Sequence, residues 1–281
     1  MDGRVGHEGV CRLVLRSVGM AFALFSKVPM PTLDWDGANM HYMMAAFPVV
    51  GALVGIAQVA WWLLAGALGL GSLSAGVGLA LVPLALTGGI HLDGLCDVCD
   101  ALSSHAEPAR KREILKDPRV GAFAVMGVMA YLLAQVAAFN ELAGLVPRAG
   151  ILSVPASMWA LALVPVASRC LSGVATLAFP KSSERGMLAM FSQSADVRHA
   201  LLVLGIEFVC CATALVGLGG VLGAAVVICD LACLAAVRRL ARREFGGMSG
   251  DLAGWFLQMA ELAMAWCLVV GLHLSVMGVV A

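Results

Sequence analysis

Long apolar stretches separated by short polar ones dominate this chain and predict its secondary structure. An α-helix needs about 20 mainly apolar residues to cross the hydrocarbon core of a bilayer. Stretches of this kind predict an all-α fold, a polytopic membrane helical bundle of about seven transmembrane helices. The fourth stretch contains Pro155, Pro165 and Arg169, so it is either one long broken helix or two short helices. The predicted spans are 43–65, 73–91, 120–139, 149–179, 200–218, 219–237 and 255–276.

The N-terminal segment 1–42 differs from these spans. Its apolar stretch, 12–26, is too short to cross a bilayer and is interrupted by Arg12 and Arg16. A helix of this kind lies in the membrane interface more readily than across the bilayer. We therefore predict a cytoplasmic arm with an interfacial helix over 1–42 and a helical bundle over 43–281, which together form a single integral membrane domain.

The composition is typical of a membrane protein. It excludes a soluble globular domain and a generally basic nucleic-acid-binding protein. Hydrophobic residues make up 61% of the chain and charged residues only 13%, whereas soluble domains average about 45–50% and 25%. The 18 basic residues are balanced by 18 acidic ones, which excludes a generally basic nucleic-acid-binding protein. We expect the lipid bilayer as a partner and no nucleic acid.

The basic residues cluster in four segments that predict the orientation in the membrane. All Lys and Arg except Arg148 and Arg169 fall in the N-terminal arm or in the connections 92–119, 180–199 and 238–254. Two predicted spans separate each segment from the next, so all four lie on one face. Basic connections mark the cytoplasmic side. We therefore predict that these three connections are cytoplasmic loops.

Three carboxylates follow the second predicted span. Asp93, Asp97 and Asp100 fall at i, i+4 and i+7, on one face of a helix. Carboxylates this close repel one another unless a cation lies between them, and an all-oxygen ligand set suits Mg²⁺. The alternative is a solvated first turn of a cytoplasmic helix. His91, close to the same face, is a candidate to orient a carboxylate or shuttle a proton, or else makes an ordinary polar contact.

Basic residues near this acidic cluster are candidates for binding phosphate. Lys116 and Arg119 precede the third predicted span, and Arg suits bidentate phosphate contacts while Lys acts as a point charge. The alternative is that they only set the topology. Arg169 lies inside an apolar stretch, where a charge must find a partner or extend its side chain to the interface.

A glycine-rich segment precedes the last predicted span. Gly246, Gly247 and Gly250 fall within five positions, followed by Asp251 and, ten residues on, Glu261. Glycines let backbone N–H groups approach a phosphate closely, although glycine-rich turns are also common. By the predicted topology this segment shares a membrane face with the acidic cluster. Carboxylates for Mg²⁺ together with cations for phosphate indicate phosphoryl transfer.

The motifs that carry these residues resemble those of the cobalamin synthase family, adenosylcobinamide-GDP ribazoletransferase, over essentially the whole chain. The segment 87–100 resembles the family pattern T-G-G-F-H-x-D-G-L-A-D-x-x-D. The segment 116–121 resembles (K/R)-D-S-R-(I/L)-G, and 246–254 resembles G-G-x-T-G-D-x-x-G. Departures from the family include Ala101, where Gly is usual, and Ser183, where the family has Arg.

The resemblance implies a reaction and roles for these residues. A ribose hydroxyl of α-ribazole, or of its 5′-phosphate, would attack adenosylcobinamide-GDP, release GMP and close the nucleotide loop of adenosylcobalamin or its 5′-phosphate. The enzyme would lie in the bacterial cytoplasmic (inner) membrane, its active site facing the cytoplasm, as a homo-oligomer or in association with soluble enzymes of the pathway. The implied ligands of Mg²⁺ are Asp93, Asp97 and Asp100. The implied catalytic residues are these three with His91 and Asp251, and the substrate-binding residues are Lys116, Arg119, Arg169, Gly246, Gly247, Gly250 and Glu261.

Two other functions fit part of this pattern. A CDP-alcohol phosphotransferase of phospholipid synthesis has the motif D-x-x-D-G-x-x-A-R, but here Asp97-x-x-Asp100 is followed by Ala101 and lacks the Ala-Arg pair. A transporter would place its acids near mid-span or in two symmetric halves, whereas these acids lie at the ends of predicted spans. Phosphoryl transfer to a ribazole therefore remains the preferred hypothesis.

Overall fold

The computed structural model describes residues 7–31, 40–146, 154–183 and 196–278. Parts of the predicted segments 1–42, 149–179 and 180–199 therefore lie outside the described residues. Within the described ranges the regular structure is helical, apart from one isolated β-bridge between Lys181 and Met248. The helices are α1 (His7–Phe25), α2 (Phe47–Ala67), α3 (Ser72–Thr87), α4 (Ile90–Ser103), α5 (Pro108–Ile114), α6 (Ala122–Leu145), α7 (Ala156–Ala178), α8 (Val197–Leu240) and α9 (Gly250–Val276).

The predicted all-α membrane bundle is confirmed, and its described part contains five or six candidate membrane-spanning elements. In the described ranges five helices are long and apolar enough to span a bilayer, namely α2, α6, α7, α8 with its continuation to Phe245, and α9. The pair α3 and α4 passes the same test together, across a bend of 98°. The chain is a polytopic membrane protein with five or six such elements, and the total of seven remains a prediction.

Helix α8 contains a reversal of direction. Gly220 has φ 53° and ψ −122° inside the helix, and a Cβ on Gly223 would overlap the carbonyl oxygen of Leu215. In a straight helix residues eight apart are separated by about 12 Å, so the chain turns back on itself at Gly220. This turn coincides with the boundary between the predicted spans 200–218 and 219–237.

The long apolar stretch 149–179 forms one helix in the described part of the chain. Helix α7 begins directly after Pro155 and continues through Pro165 to Ala178. It packs against α2, α8 and α9, and most of its residues are buried. Helix α7 is therefore the centre of the bundle, and its interior position explains how it accommodates Arg169.

Two glycines separate α3 from α4. Gly88 has φ 64° and Gly89 has φ 79°, both left-handed, a conformation that glycine adopts without the penalty a Cβ brings. The predicted span 73–91 therefore ends at Thr87, and the chain leaves it at a sharp angle. Much of the predicted loop 92–119 is helical, because α4 and α5 lie within it.

Helix α1 covers the predicted interfacial stretch 12–26. It packs against α2, with Ser17 and Met20 buried while Val14 and Leu15 are exposed. One side of α1 thus faces the bundle and the other faces outward. Its location in the membrane interface remains a prediction.

Candidate active site

Helices α4 and α9 cross in close contact at two glycines. A Cβ on Gly94 would lie 2.7 Å from the carbonyl oxygen of Asp251, and one on Gly254 would lie 3.1 Å from that of His91. A Cβ at position 94 would force the two backbones apart, and one at position 254 would require a shift of a few tenths of an ångström, so glycine at both positions permits this close crossing. The contact brings the start of α9 against the acidic helix α4, and with it Asp251 towards Asp93.

These two carboxylates line one cavity of about 580 Å³. The cavity lies at the end of the bundle where α2 and α9 begin and α7 ends. Its walls also include residues of α1, α4 and the connection after α5. The predicted site residues that line it are His91, Asp93, Lys116, Gly250 and Asp251. The structure therefore brings together side chains from three distant parts of the sequence.

Asp97 belongs to the same acidic group, although it does not line the cavity. Its carboxyl group is half-buried and within electrostatic range of Asp93, Asp100 and Asp251. Among the described residues no three His, Cys, Asp or Glu side chains converge closely enough to hold a metal ion on their own. Mg²⁺ is usually held by one or two carboxylates together with substrate phosphates and water. Two carboxylates on one cavity wall fit that requirement.

Asp100 is placed differently from the other two predicted ligands. Its Oδ2 accepts a hydrogen bond from the backbone N–H of Gly121 at 2.6 Å, and its Oδ1 accepts one from Ala124 at 2.8 Å. These donors belong to the first turn of α6, where backbone N–H groups lack partners within the helix. Asp100 therefore caps α6 and joins α4 to it, with both oxygens already accepting hydrogen bonds.

The predicted phosphate-binding residues Lys116 and Arg119 have different environments in the structure. Lys116 lines the cavity. Arg119 does not: its Nε and Nη2 donate to Asp117 at 2.9 and 2.7 Å, and its side chain is 86% exposed. These hydrogen bonds lower the pKa of Asp117 to about 2, so the pair stays charged at neutral pH.

Arg169 is buried behind the cavity wall and has the partner that its position requires. Its Nη1 donates to Glu261 Oε1 at 2.7 Å and to the carbonyl oxygen of Pro165 at 2.9 Å. Ser168 also donates to Glu261, at 2.9 Å. The guanidinium lies 5.5 Å from the ring centroid of Phe47, which lines the cavity. Arg169 and Glu261 thus form one buried ion pair that supports the wall.

His91 is buried beside the acidic residues. Its ring lies 6.0 Å from that of Phe25 and 5.6 Å from that of Phe47. Its Nε2 has no hydrogen-bond partner among the described residues. A buried imidazole nitrogen without a partner is available to a ligand in the cavity that it lines.

The glycine-rich segment donates backbone hydrogen bonds to neighbouring parts of the chain. The N–H of Gly247 donates to the carbonyl oxygen of Ala241 at 2.9 Å, and that of Met248 donates to Pro180 at 2.7 Å. Gly246 has φ 72°, which ends the π-helical turn Ala241–Phe245 after α8. Gly246 and Gly247 therefore shape the turn outside the cavity lining, and Gly250 is the glycine of this segment that lines it.

Several residues that line the cavity were not predicted from the sequence. Arg112 lines the cavity from α5, and Ser172 and Thr176 line it from the end of α7. Arg112 precedes Lys116 by four residues, the spacing that places two side chains on one helix face, so that signal was present. No comparable signal marked the two hydroxyl residues, because an apolar helix commonly carries Ser and Thr.

These features define the class of protein: a polytopic membrane protein whose helices enclose, at one end, a cavity with acidic and basic walls. The sequence profile of the cobalamin-5-phosphate synthase family matches residues 17–269. The chain belongs to this family, and it is a transferase of cobalamin biosynthesis that acts in joining the nucleotide loop.

Curated relatives resemble the chain over most of its length. It is 32% identical over 256 residues to the adenosylcobinamide-GDP ribazoletransferase of Lachnoclostridium phytofermentans, covering 91% of this chain and 94% of that protein. The protein of the same name from Geobacillus kaustophilus is 32% identical over 272 residues, covering 92% and 97%. That of Azorhizobium caulinodans is 31% identical over 259 residues, covering 89% and 94%. No solved structure matches the chain.

Proposed function

We propose that this chain joins adenosylcobinamide-GDP to α-ribazole, or to α-ribazole 5′-phosphate, in a reaction that depends on Mg²⁺. The observation that carries the proposal is the shared cavity of Asp93, Asp251 and Lys116. Carboxylates and a cation that face one space are the groups that phosphoryl transfer requires, because its catalysis rests on positioning and charge neutralisation. The substrates in this proposal are taken from the names of the relatives, which are adenosylcobinamide-GDP ribazoletransferases.

The proposed reaction forms one O–P bond and breaks another. A ribose hydroxyl oxygen of the ribazole attacks the cobinamide-proximal phosphorus. The bond from that phosphorus to the bridging oxygen breaks, and GMP leaves with the bonding electrons. The hydroxyl proton passes to a base in the cavity, for which Asp93, Asp251 and His91 are the candidates by their location.

Mg²⁺ would be held by Asp93 and Asp251 from two different helices. Asp97, within electrostatic range of both, would add negative charge or a further oxygen ligand. Asp100, the third predicted ligand, is less suited because both of its oxygens already accept backbone hydrogen bonds. When bound, Mg²⁺ neutralises charge on the diphosphate and orients it for attack.

The location of the cavity and the basic connections support a proposal for the orientation in the membrane. The cavity includes Lys116 and the connection around Met248, both within the basic segments that the positive-inside rule assigns to the cytoplasm. Large polar substrates reach the site only from water. We propose that the cavity opens to the cytoplasm from the inner membrane.

The experiment is turnover by the purified protein in detergent or liposomes, with adenosylcobinamide-GDP, α-ribazole and Mg²⁺. We expect release of GMP with a cobalamin product, and loss of both with EDTA, with Asp93→Asn and with Asp97→Ala. Glu141→Gln is the matched control, because Glu141 pairs with His273 at the opposite end of α6 and its loss leaves turnover unchanged.

The same assay discriminates the phospholipid alternative. CDP-diacylglycerol replaces the nucleotide substrate in a parallel reaction. Consumption of CDP-diacylglycerol with adenosylcobinamide-GDP left intact would contradict the proposal. Turnover that survives EDTA and both acidic variants would contradict the metal site while leaving the reaction in place.

A further inference from the structure

Three consecutive basic residues of α5 have three different environments. Arg110 is exposed and pairs with Glu113 at 2.7 Å. Lys111 is buried and pairs with Glu244. Arg112 lines the cavity, and no carboxylate lies within ion-pair distance of it in the described part of the chain. A positive charge without a counterion at the wall of a cavity is available to an anionic ligand.

The orientation of Arg112 is set by one hydrogen bond. Its Nη1 donates to the carbonyl oxygen of Phe245 at 3.0 Å. A guanidinium carries five N–H donors in a fixed planar arrangement, so the others remain available. A Cβ on Gly246 would lie 3.0 Å from the same Nη1, so a side chain there would crowd the guanidinium.

Lys116 provides a second positive charge in the lining of the same cavity. It lies four residues after Arg112, lines the same cavity and has no ion-pair partner among the described residues. The same lining contains Asp93 of α4 and Asp251 of α9. The cavity therefore offers carboxylates to a cation and unpaired basic groups to an anion.

We propose that Arg112 and Lys116 form the binding site for the diphosphate of the nucleotide substrate. The inference rests on the proposed function. It identifies the residues that bind the phosphate groups from which GMP is released. A guanidinium binds phosphate oxygens in a bidentate manner and an ammonium adds a point charge. Arg119 and Arg169 contribute less directly, because each is paired with a carboxylate.

The test measures binding of GDP and of inorganic pyrophosphate to the purified protein with Mg²⁺ and without the ribazole. Arg112→Ala is expected to weaken both affinities about tenfold or more, which corresponds to about 1.4 kcal/mol. Arg112→Lys is expected to restore part of the affinity, since it returns the charge without the bidentate geometry. Arg110→Ala, two residues away on the same short helix, is the matched control and keeps the affinity of the wild type.

Lys116→Ala provides a second test in case Arg112→Ala does not fold, because Lys116 is exposed and outside the ion pairs. It is expected to weaken GDP binding severalfold and to raise KM for adenosylcobinamide-GDP more than it lowers kcat. Wild-type GDP affinity in Arg112→Ala, or in Lys116→Ala if only that variant folds, would overturn the site.

Failure of the two proposals gives different results. If GDP binds in an Arg112-dependent manner but no cobalamin product forms, the anion site stands and the proposed function is wrong. If product forms and both variants keep wild-type affinity and KM, the proposed function stands and the anion site is wrong.

Discussion

Gly94 lies directly against the backbone of Asp251, so closely that a Cβ on the glycine would stand 2.7 Å from the carbonyl oxygen of the aspartate. This contact joins two segments separated by more than half of the chain. It explains why Asp93 of α4 and Asp251 of α9 line one cavity. The shape of the candidate active site therefore depends on a residue that has no functional group.

Gly94→Ala is expected to lose most of the transfer activity. The added methyl group would force α4 away from the start of α9, since the contacted atom is backbone and does not rotate aside. Steady-state kinetics and thermal unfolding in detergent are the measurements. Gly205→Ala is the control, because a Cβ at that helical position meets nothing within 4 Å. Wild-type activity in Gly94→Ala would show that the crossing tolerates a side chain.

The pair Arg169–Glu261 is expected to act as a unit in stability. Removing one partner leaves a buried charge uncompensated, which typically costs about 3–5 kcal/mol. Arg169→Met and Glu261→Met should each lower the unfolding temperature strongly, and the double variant should lower it by less than the sum. Additive losses in this double-mutant cycle would contradict a direct interaction.

Asp100 provides a test that separates capping from metal binding. Asp100→Ala is expected to lower stability by about 0.5–2 kcal/mol, the usual effect of losing a helix cap. Asp100→Asn should lose less stability than Asp100→Ala, because its single amide oxygen replaces one of the two accepting oxygens, and it should keep most of the activity. Thermal unfolding and Mg²⁺-dependent turnover check both. An inactive but fully stable Asp100→Asn variant would instead favour the predicted role as a metal ligand.

Gly220 is expected to be essential for the reversal within α8. Its φ of 53° with ψ of −122° is a conformation that an L-residue with a side chain adopts only at a cost of about 1–2 kcal/mol or more. Gly220→Ala should lower the unfolding temperature, while Gly219→Ala should not, because its nearest contact is 4.0 Å away. Equal stability of the two variants would argue against a turn at Gly220.

The sequence predicted the membrane bundle and five of the residues that line the cavity, while other candidates lie outside its lining. Basic connections on one predicted face implied that Asp93, Asp251 and Lys116 share a side of the bundle, and these three residues do line one cavity. Arg119 was a reasonable candidate for phosphate binding, yet it lies beside Asp117. A local ion pair of this kind depends on the path of the loop, which periodicity does not encode.

The sequence by itself determined the class of protein, because apolar length, basic connections and family motifs are properties of the linear chain. The tertiary structure alone decided the site: the left-handed glycines at 88 and 89 turn α4 out of the span, and Gly94 admits the backbone of Asp251. It also paired Arg169 with Glu261, turned Asp100 to the first turn of α6 and directed Arg112 into the cavity. The pairing of Arg169, the capping by Asp100 and the orientation of Arg112 depend on contacts between residues at least 21 positions apart. Such contacts are set by packing of the whole bundle, and no local pattern contains them.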